Sequence, residues 1–187
     1  FCRSRGDDKV VLASATDLPY ADECCDIATS FDVLVQLPGE GTDERALVEM
    51  HRVLRPGGVA FVRGAAYEWM KSPHDKALDT YRRYTLGQIS LLALQAGFEV
   101  ERATYANTVL FPVAAVRRLV LMRIRLAAAD SDVKPMPRGL RWTNGLLTAA
   151  VRLEARLLKR PRVRLPFGLS TIVILRKPAI AMQPEPS

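Results

Sequence analysis

Apolar and polar residues recur along the chain with two different periods, and each change of period marks an element. From Arg45 onward, Ala46, Leu47, Met50, Val53 and Leu54 fall at helical spacing, while Glu44, Glu49 and Arg52 fall on the opposite side. Pro56 forbids continuation of that helix, and Gly57-Gly58 supply the positive φ that a sharp reversal needs. Val59 to Val62 follow as an apolar run rich in β-branched and aromatic side chains, which suits a strand covered on both faces. The predicted unit is helix, tight turn, buried strand.

The same reading predicts short strands at 9–13 (KVVLA), 25–30 (CDIATS), 99–105 and 170–176 (STIVILR). Thr85 is placed to cap a helix through Ile89, Leu92 and Gln95, with Gly97 as a left-handed stop, and Thr42 or Asp43 to cap the helix before Pro56. Buried strands alternating with amphipathic helices predict an α/β fold with a doubly wound, mostly parallel sheet, in one domain over residues 1–178. Residues 109–165 break the alternation as a helical insert before the last strand, and the Pro-rich stretch 179–187 reads as a disordered tail.

Charge changes the picture only in that insert. Between Arg117 and Leu165 stand 13 Lys and Arg against 3 Asp and Glu, a local +10 that leaves the rest of the chain at −3. Val109 to Ala128 is long enough to raise the question of a membrane span, but Arg117, Arg118, Arg123 and Arg125 argue against it, each costing about 2.5–3.5 kcal/mol near the bilayer centre. Leu146 to Lys159 is amphipathic, and helices of this kind either roof a substrate pocket or lie on an anionic membrane surface. Nucleic acid fits less well, because the basic positions alternate with long apolar runs. The three cysteines form neither a disulfide framework nor a metal-ligand spacing, so they read as small buried residues in a reducing cytoplasm and no metal is expected.

One stretch, LVEMHRVLRPGGVAFVRG, resembles the fourth helix and fifth strand of class I S-adenosylmethionine-dependent methyltransferases, which share a Rossmann-like sheet of strand order 3-2-1-4-5-7-6. The resemblance extends to both sides. Ser14-Ala15-Thr16-Asp17-Leu18-Pro19-Tyr20 matches the family's D-A-x-x-L-P-F, which implies that Ser14, in place of the usual aspartate, and the Ala15 backbone hold the adenine of S-adenosylmethionine. Ser30-Phe31-Asp32 match the carboxyl end of the fourth strand and would line the cofactor, although Val35-Gln36 replace the family's Glu-His. Candidates exist for strands 3 to 7. Strands 1 and 2 and any glycine-rich loop have no counterpart, so the chain, which starts at Phe1, is expected to be N-terminally truncated.

After the fifth strand, Trp69-Met70-Lys71-Ser72-Pro73-His74-Asp75 and Arg82-Arg83-Tyr84-Thr85 resemble a subgroup carrying W-S-x-H-D and R-R-Y-T there. His74 beside Asp75 is a candidate catalytic base, and Tyr67, Trp69, Arg82, Arg83 and Tyr84 are candidates for holding the acceptor, the arginines by clamping a carboxylate or phosphate. The bland alternative is a capped turn and surface ion pairs. The resulting expectation is methyl transfer from S-adenosylmethionine to a small, amphiphilic or lipid-linked acceptor, in the cytoplasm or against the inner face of the membrane, by a chain inactive on its own. The alternative is a degenerate relative serving as a non-catalytic membrane-surface or interaction module.

Overall fold

In the computed structural model, residues 10–72, 75, 77–124 and 141–179 are described, and the structural statements concern them. Four strands, β1 (Cys25–Phe31), β2 (Leu54–Ala65), β3 (Glu99–Ala106) and β4 (Ser170–Arg176), form one sheet in the spatial order β1-β2-β4-β3. β1 pairs in parallel with β2, and β4 runs antiparallel to both of its neighbours, so β1, β2 and β3 all end at one edge. The order corresponds to the 4-5-7-6 half of the sheet that the resemblance implies, with three of the four strands running the same way and the two antiparallel pairings both made by β4.

Helices α1 (Thr42–Val53) and α2 (Leu86–Gln95) cover one face. Leu47 and Met50 of α1 and Ile89 and Ala93 of α2 meet Ala60, Val62, Val173 and Leu175 of β2 and β4, all buried. Each fully buried large side chain contributes about 1.5–3 kcal/mol. Thr85 caps α2 in a full capping box, its hydroxyl accepting from the Gln88 amide at 3.3 Å while the Gln88 side chain accepts from the Thr85 amide at 2.8 Å. Helices α3 (Phe111–Ile124) and α4 (Arg141–Leu158) lie between β3 and β4 in sequence. α4 crosses the other face, where its Ala155 and Leu158 enclose with Phe61, Thr104, Ile172 and Ile174 a cleft of about 200 Å³. Arg102 of β3 secures its end by donating to the carbonyls of Leu158 (2.9 Å) and Val163 (2.7 Å), a cation where the helix dipole is negative.

Several local expectations change. The residue capping α1 is Gly41 (φ 70°), not Thr42 or Asp43; the Thr42 hydroxyl donates to the Gly39 carbonyl at 2.9 Å, and Asp43 is drawn inside the first turn. The chain passes from α1 directly into β2, which begins at Leu54 rather than Val59, because the Gly57 amide donates to the Lys177 carbonyl and the Lys177 amide to the Gly58 carbonyl, each at 2.9 Å. Of the Gly57-Gly58 pair, only Gly57 has positive φ (+80°). Gly58 is required for space: a Cβ there would lie 2.8 Å from the Arg55 carbonyl oxygen and 3.2 Å from that of Asp26. Gly58→Val should therefore cost about 1–3 kcal/mol through overpacking against backbone, read as a lowered melting temperature; an unchanged one would remove this close approach as the reason for glycine.

The strand expected at 9–13 does not form over its described part. Val10 to Ala13 make no ladder, and Leu12 is 101% exposed. A lone segment with no neighbour to pair its amides gains nothing from extension. Helix α3 accounts for the apolar run expected over 109–128 as far as Ile124; residues 125–128, Lys9 and the tail from Ile180 lie outside the described residues.

Candidate functional site

Three strands end at the same edge, and each is followed within two residues by a non-glycine residue at positive φ: Asp32 (57°) after β1, Tyr67 (59°) after β2 and Asn107 (60°) after β3. Such conformations cost about 1–3 kcal/mol each and persist only where the surroundings enforce them. Here the Asp32 amide donates to the Arg63 carbonyl at 3.0 Å and its carboxylate faces the Arg63 guanidinium at 3.5 Å. The Tyr67 amide donates to the Tyr84 carbonyl at 3.2 Å, and the Asn107 side-chain amide to the Ser170 hydroxyl at 3.2 Å. Open α/β sheets bind ligands beyond the carboxyl ends of their strands, which is where these turns lie.

Tyr67 is the centre of an aromatic shelf at that edge. Its ring stacks on Tyr105 at 5.1 Å and leans on Phe111 at 5.5 Å and Trp69 at 6.0 Å, and Phe111 extends the cluster to Phe167 at 5.5 Å. Tyr105 is a buried floor, whereas Trp69 (46% exposed) and Phe167 (40%) form an open rim. Burial, reinforced by the neighbouring Tyr105, pushes the Tyr67 hydroxyl well above its ordinary pKa, so it stays a neutral phenol. Such a surface holds flat rings, alkyl groups or cations through quadrupole and dispersion contacts.

The polar residues expected beside it turn inward. Arg82 pairs with Asp43 Oδ1 at 2.5 Å and donates to the carbonyls of Leu37 (3.1 Å) and Gly39, and the Tyr84 hydroxyl donates to Asp43 Oδ2 at 2.7 Å. Tyr84 is buried, and both Nη groups of Arg82 are engaged within the protein. Arg83 donates through Nε (2.9 Å) and Nη2 (2.7 Å) to Asp75 Oδ1 and through Nη1 to the Ala66 carbonyl (3.0 Å), while the Ser72 amide (2.5 Å) and hydroxyl (2.8 Å) occupy Asp75 Oδ2. Burial raises the Asp75 pKa, but the hydrogen bonds from Ser72 and Arg83 outweigh it and hold the group as carboxylate. A buried carboxylate with both oxygens occupied is a loop lock, not an available base, and the arginine clamp expected for an acceptor is spent on two carboxylates. His74 lies outside the described residues. With the Tyr81 amide donating to the Val35 carbonyl at 2.8 Å, these contacts bind the segment after β1 to the segment after β2.

On the cofactor side, the 14–20 turn is held by α1 although no strand leads into it. Glu49 accepts from the Leu18 amide at 2.8 Å, and Arg52 donates to the carbonyls of Leu18 (3.0 Å) and Tyr20 (2.8 Å). Hydrogen bonds from Arg52 and the Leu18 amide bring the Glu49 pKa down to about 2. The Ser14 hydroxyl is engaged by Thr16 at 2.8 Å, and Ala15 packs on the core. Ser30 at the end of β1 is buried with its Oγ lacking a hydrogen-bond partner, and Phe31 is 57% exposed beside Phe61. Val35, at the first of the two departures from the family text, is buried, and Gln36 donates to the Leu78 carbonyl at 3.2 Å. No metal-ligating cluster occurs among the described residues.

Asp43, Arg63, Tyr105, Phe111 and Phe167 were not expected here. Arg63 and Tyr105 could have been found from their place at strand ends; Asp43, Phe111 and Phe167 become neighbours of the site only through packing.

Residues 1–62 match a family profile described as a methyltransferase domain. A stretch of 80 residues is 34% identical to the tRNA (carboxymethyluridine(34)-5-O)-methyltransferase of Arabidopsis thaliana, covering 43% of this chain and 19% of that protein. The fold is similar to the 4+2 cyclase SpnF (TM-score 0.53, 20% identity, 95% of this chain and 60% of that one). It is also similar to an S-adenosylmethionine-dependent methyltransferase of Methanosarcina mazei (TM-score 0.51, 12% identity, 89% and 66%). The chain thus spans about a fifth of the curated relative and under two thirds of the SpnF chain. The match to the methyltransferase domain model thus covers residues 1–62, and the solved structures share the α/β fold of the sheet that follows.

Proposed function

We propose that the chain carries the acceptor half of an S-adenosylmethionine-dependent methyltransferase that acts on a small or amphiphilic molecule. The observation that supports it best is the aromatic shelf around Tyr67, set at the carboxyl edge where Asp32, Tyr67 and Asn107 redirect the chain. Bound S-adenosylmethionine would supply a methyl group on a sulfonium, which passes in line to an acceptor nucleophile. The residues present fit part of that group: the orphaned Ser30 hydroxyl and the Ala15 backbone suit its central and adenine portions, whereas the Ser14 hydroxyl is taken by Thr16. The shelf would fix the acceptor's orientation and keep water from its reacting face, and the Arg82–Asp43 and Arg83–Asp75 pairs would hold the loops beneath it.

Methyl-labelled S-adenosylmethionine, incubated with protein expressed from its complete gene and a small-molecule and lipid extract, should place label in the organic-soluble fraction. Trp69→Ala should raise the acceptor KM while leaving cofactor affinity near wild type. Label found only in RNA, or none at all, would overturn the acceptor class. The second reading, a non-catalytic module, draws on the apolar Val35 at a position where the family carries a polar residue.

The 187-residue chain alone should bind S-adenosylmethionine poorly. It contains no glycine-rich turn for the amino-acid end, and its Ser14 hydroxyl is already engaged. Two missing anchors at about 1.5–3 kcal/mol each weaken a micromolar site to about 100 μM or beyond. Calorimetric titration giving a dissociation constant below about 100 μM would refute this.

A further inference from the structure

We infer that α4 is a membrane-surface helix that docks on anionic lipid. The fold uses only part of its apolar face. Leu147, Ala150 and Leu158 are turned at least partly inward together with Glu154, but Leu146 (68% exposed), Leu153 (57%) and Leu157 (36%) recur at i, i+7 and i+11 and form a second apolar stripe open to solvent. At 100° per residue Arg156 lies about 80° from the centre of that stripe, with Arg152 and Lys159 about 120° and 140° round the same side, all exposed. Segment 141–165 holds seven Lys and Arg and a single acidic residue, Glu154. Glu154 is 7% exposed and accepts from the Val109 amide at 3.2 Å, so no carboxylate offsets the basic surface of this segment.

An uncovered leucine stripe bordered on its open side by cations, in a segment with no exposed acid, complements an anionic bilayer, whose acyl boundary takes the leucines while its phosphates meet the arginines. RNA would need the cations but leave the leucines in water. A second copy would bring a second set of like charges to the contact. No described helix is long and apolar enough to cross a membrane, so the contact is peripheral. It is independent of whether the shelf binds an acceptor.

The test is flotation of the full 187-residue chain with vesicles of phosphatidylcholine alone, or with one third phosphatidylglycerol. Wild type should float with the anionic vesicles only, and less as salt rises. Leu153→Asp with Leu157→Asp should lower partitioning about a hundredfold, since two leucines no longer enter the acyl boundary. Arg152→Glu with Arg156→Glu should lower it at least about twentyfold. Leu91→Asp, at an equally exposed leucine on α2, should float like wild type. Circular dichroism checks folding, and Leu146→Asp alone is read if the leucine pair does not fold. Absence of flotation, equal flotation after the leucine substitutions, or a concentration-dependent dimer that those substitutions dissociate would each overturn the proposal.

Discussion

Arg82→Ala should destabilise the protein by about 3–5 kcal/mol, because it leaves the Asp43 carboxylate buried without its counter-charge. Asp43 would keep the Tyr84 hydroxyl at 2.7 Å, and the carbonyls of Leu37 and Gly39 would lose their donor. For a chain of this length the loss corresponds to a fall of about 6–20 °C in melting temperature. Tyr84→Phe should cost less, about 1–3 kcal/mol, because Arg82 still pairs the carboxylate. Asp43→Ala added to Arg82→Ala should recover part of the loss, since the unpaired charge goes with it.

The acid side follows from the same contacts. Burial raises the Asp43 pKa, yet the hydrogen bonds from Arg82 and Tyr84 and the Arg82 charge prevail, so the folded protein holds it below its ordinary value. A depressed folded-state pKa gives stability that is complete above the unfolded value of about 3.9 and is lost as pH falls through the folded value. The gap between wild type and Arg82→Ala should therefore narrow in acid. Scanning calorimetry across pH reads both effects, and a gap that widened below pH 4 would show that the pair is not what stabilises these loops.

Gly168→Ala is the second large effect. A Cβ there would lie 2.2 Å from the Ala106 carbonyl oxygen, 2.8 Å from its carbon and 3.0 Å from its nitrogen, all backbone atoms that no rotamer change can move. Ala106 ends β3 beside the strained Asn107, and Phe167 adjoins the glycine, so the collision separates the Tyr105 floor from the Phe167 rim. The expected loss is about 3 kcal/mol, with a weaker near-ultraviolet dichroism from the ring cluster. Gly87→Ala, where a Cβ meets nothing within 4 Å, is the control and should melt at or slightly above wild type. If Gly168→Ala melted like that control with its aromatic signal intact, the shelf would not depend on this close approach.

Local chemistry was enough for the sheet and its covering helices. β4 needed only its β-branched run, α2 only its cap at Thr85 and stop at Gly97, and α1 only the spacing of Ala46, Leu47 and Met50. These signals lie within a few residues of what they control, so the sequence determined element type, the α/β class and the carboxyl edge where a ligand belongs. Partnership was decided only by tertiary structure. Arg82 and Arg83 read as an open clamp because a sequence does not show that Asp43, 39 residues earlier, and Asp75 will face them; once those carboxylates are buried, an unpaired guanidinium beside them would cost more than any surface role returns. Val10 to Ala13 have strand composition, but a strand exists only with a neighbour, and none pairs with it among the described residues. The shelf joins rings from positions 67, 69, 105, 111 and 167, and their adjacency follows from β4 returning antiparallel between β2 and β3, a long-range pairing that no local pattern encodes.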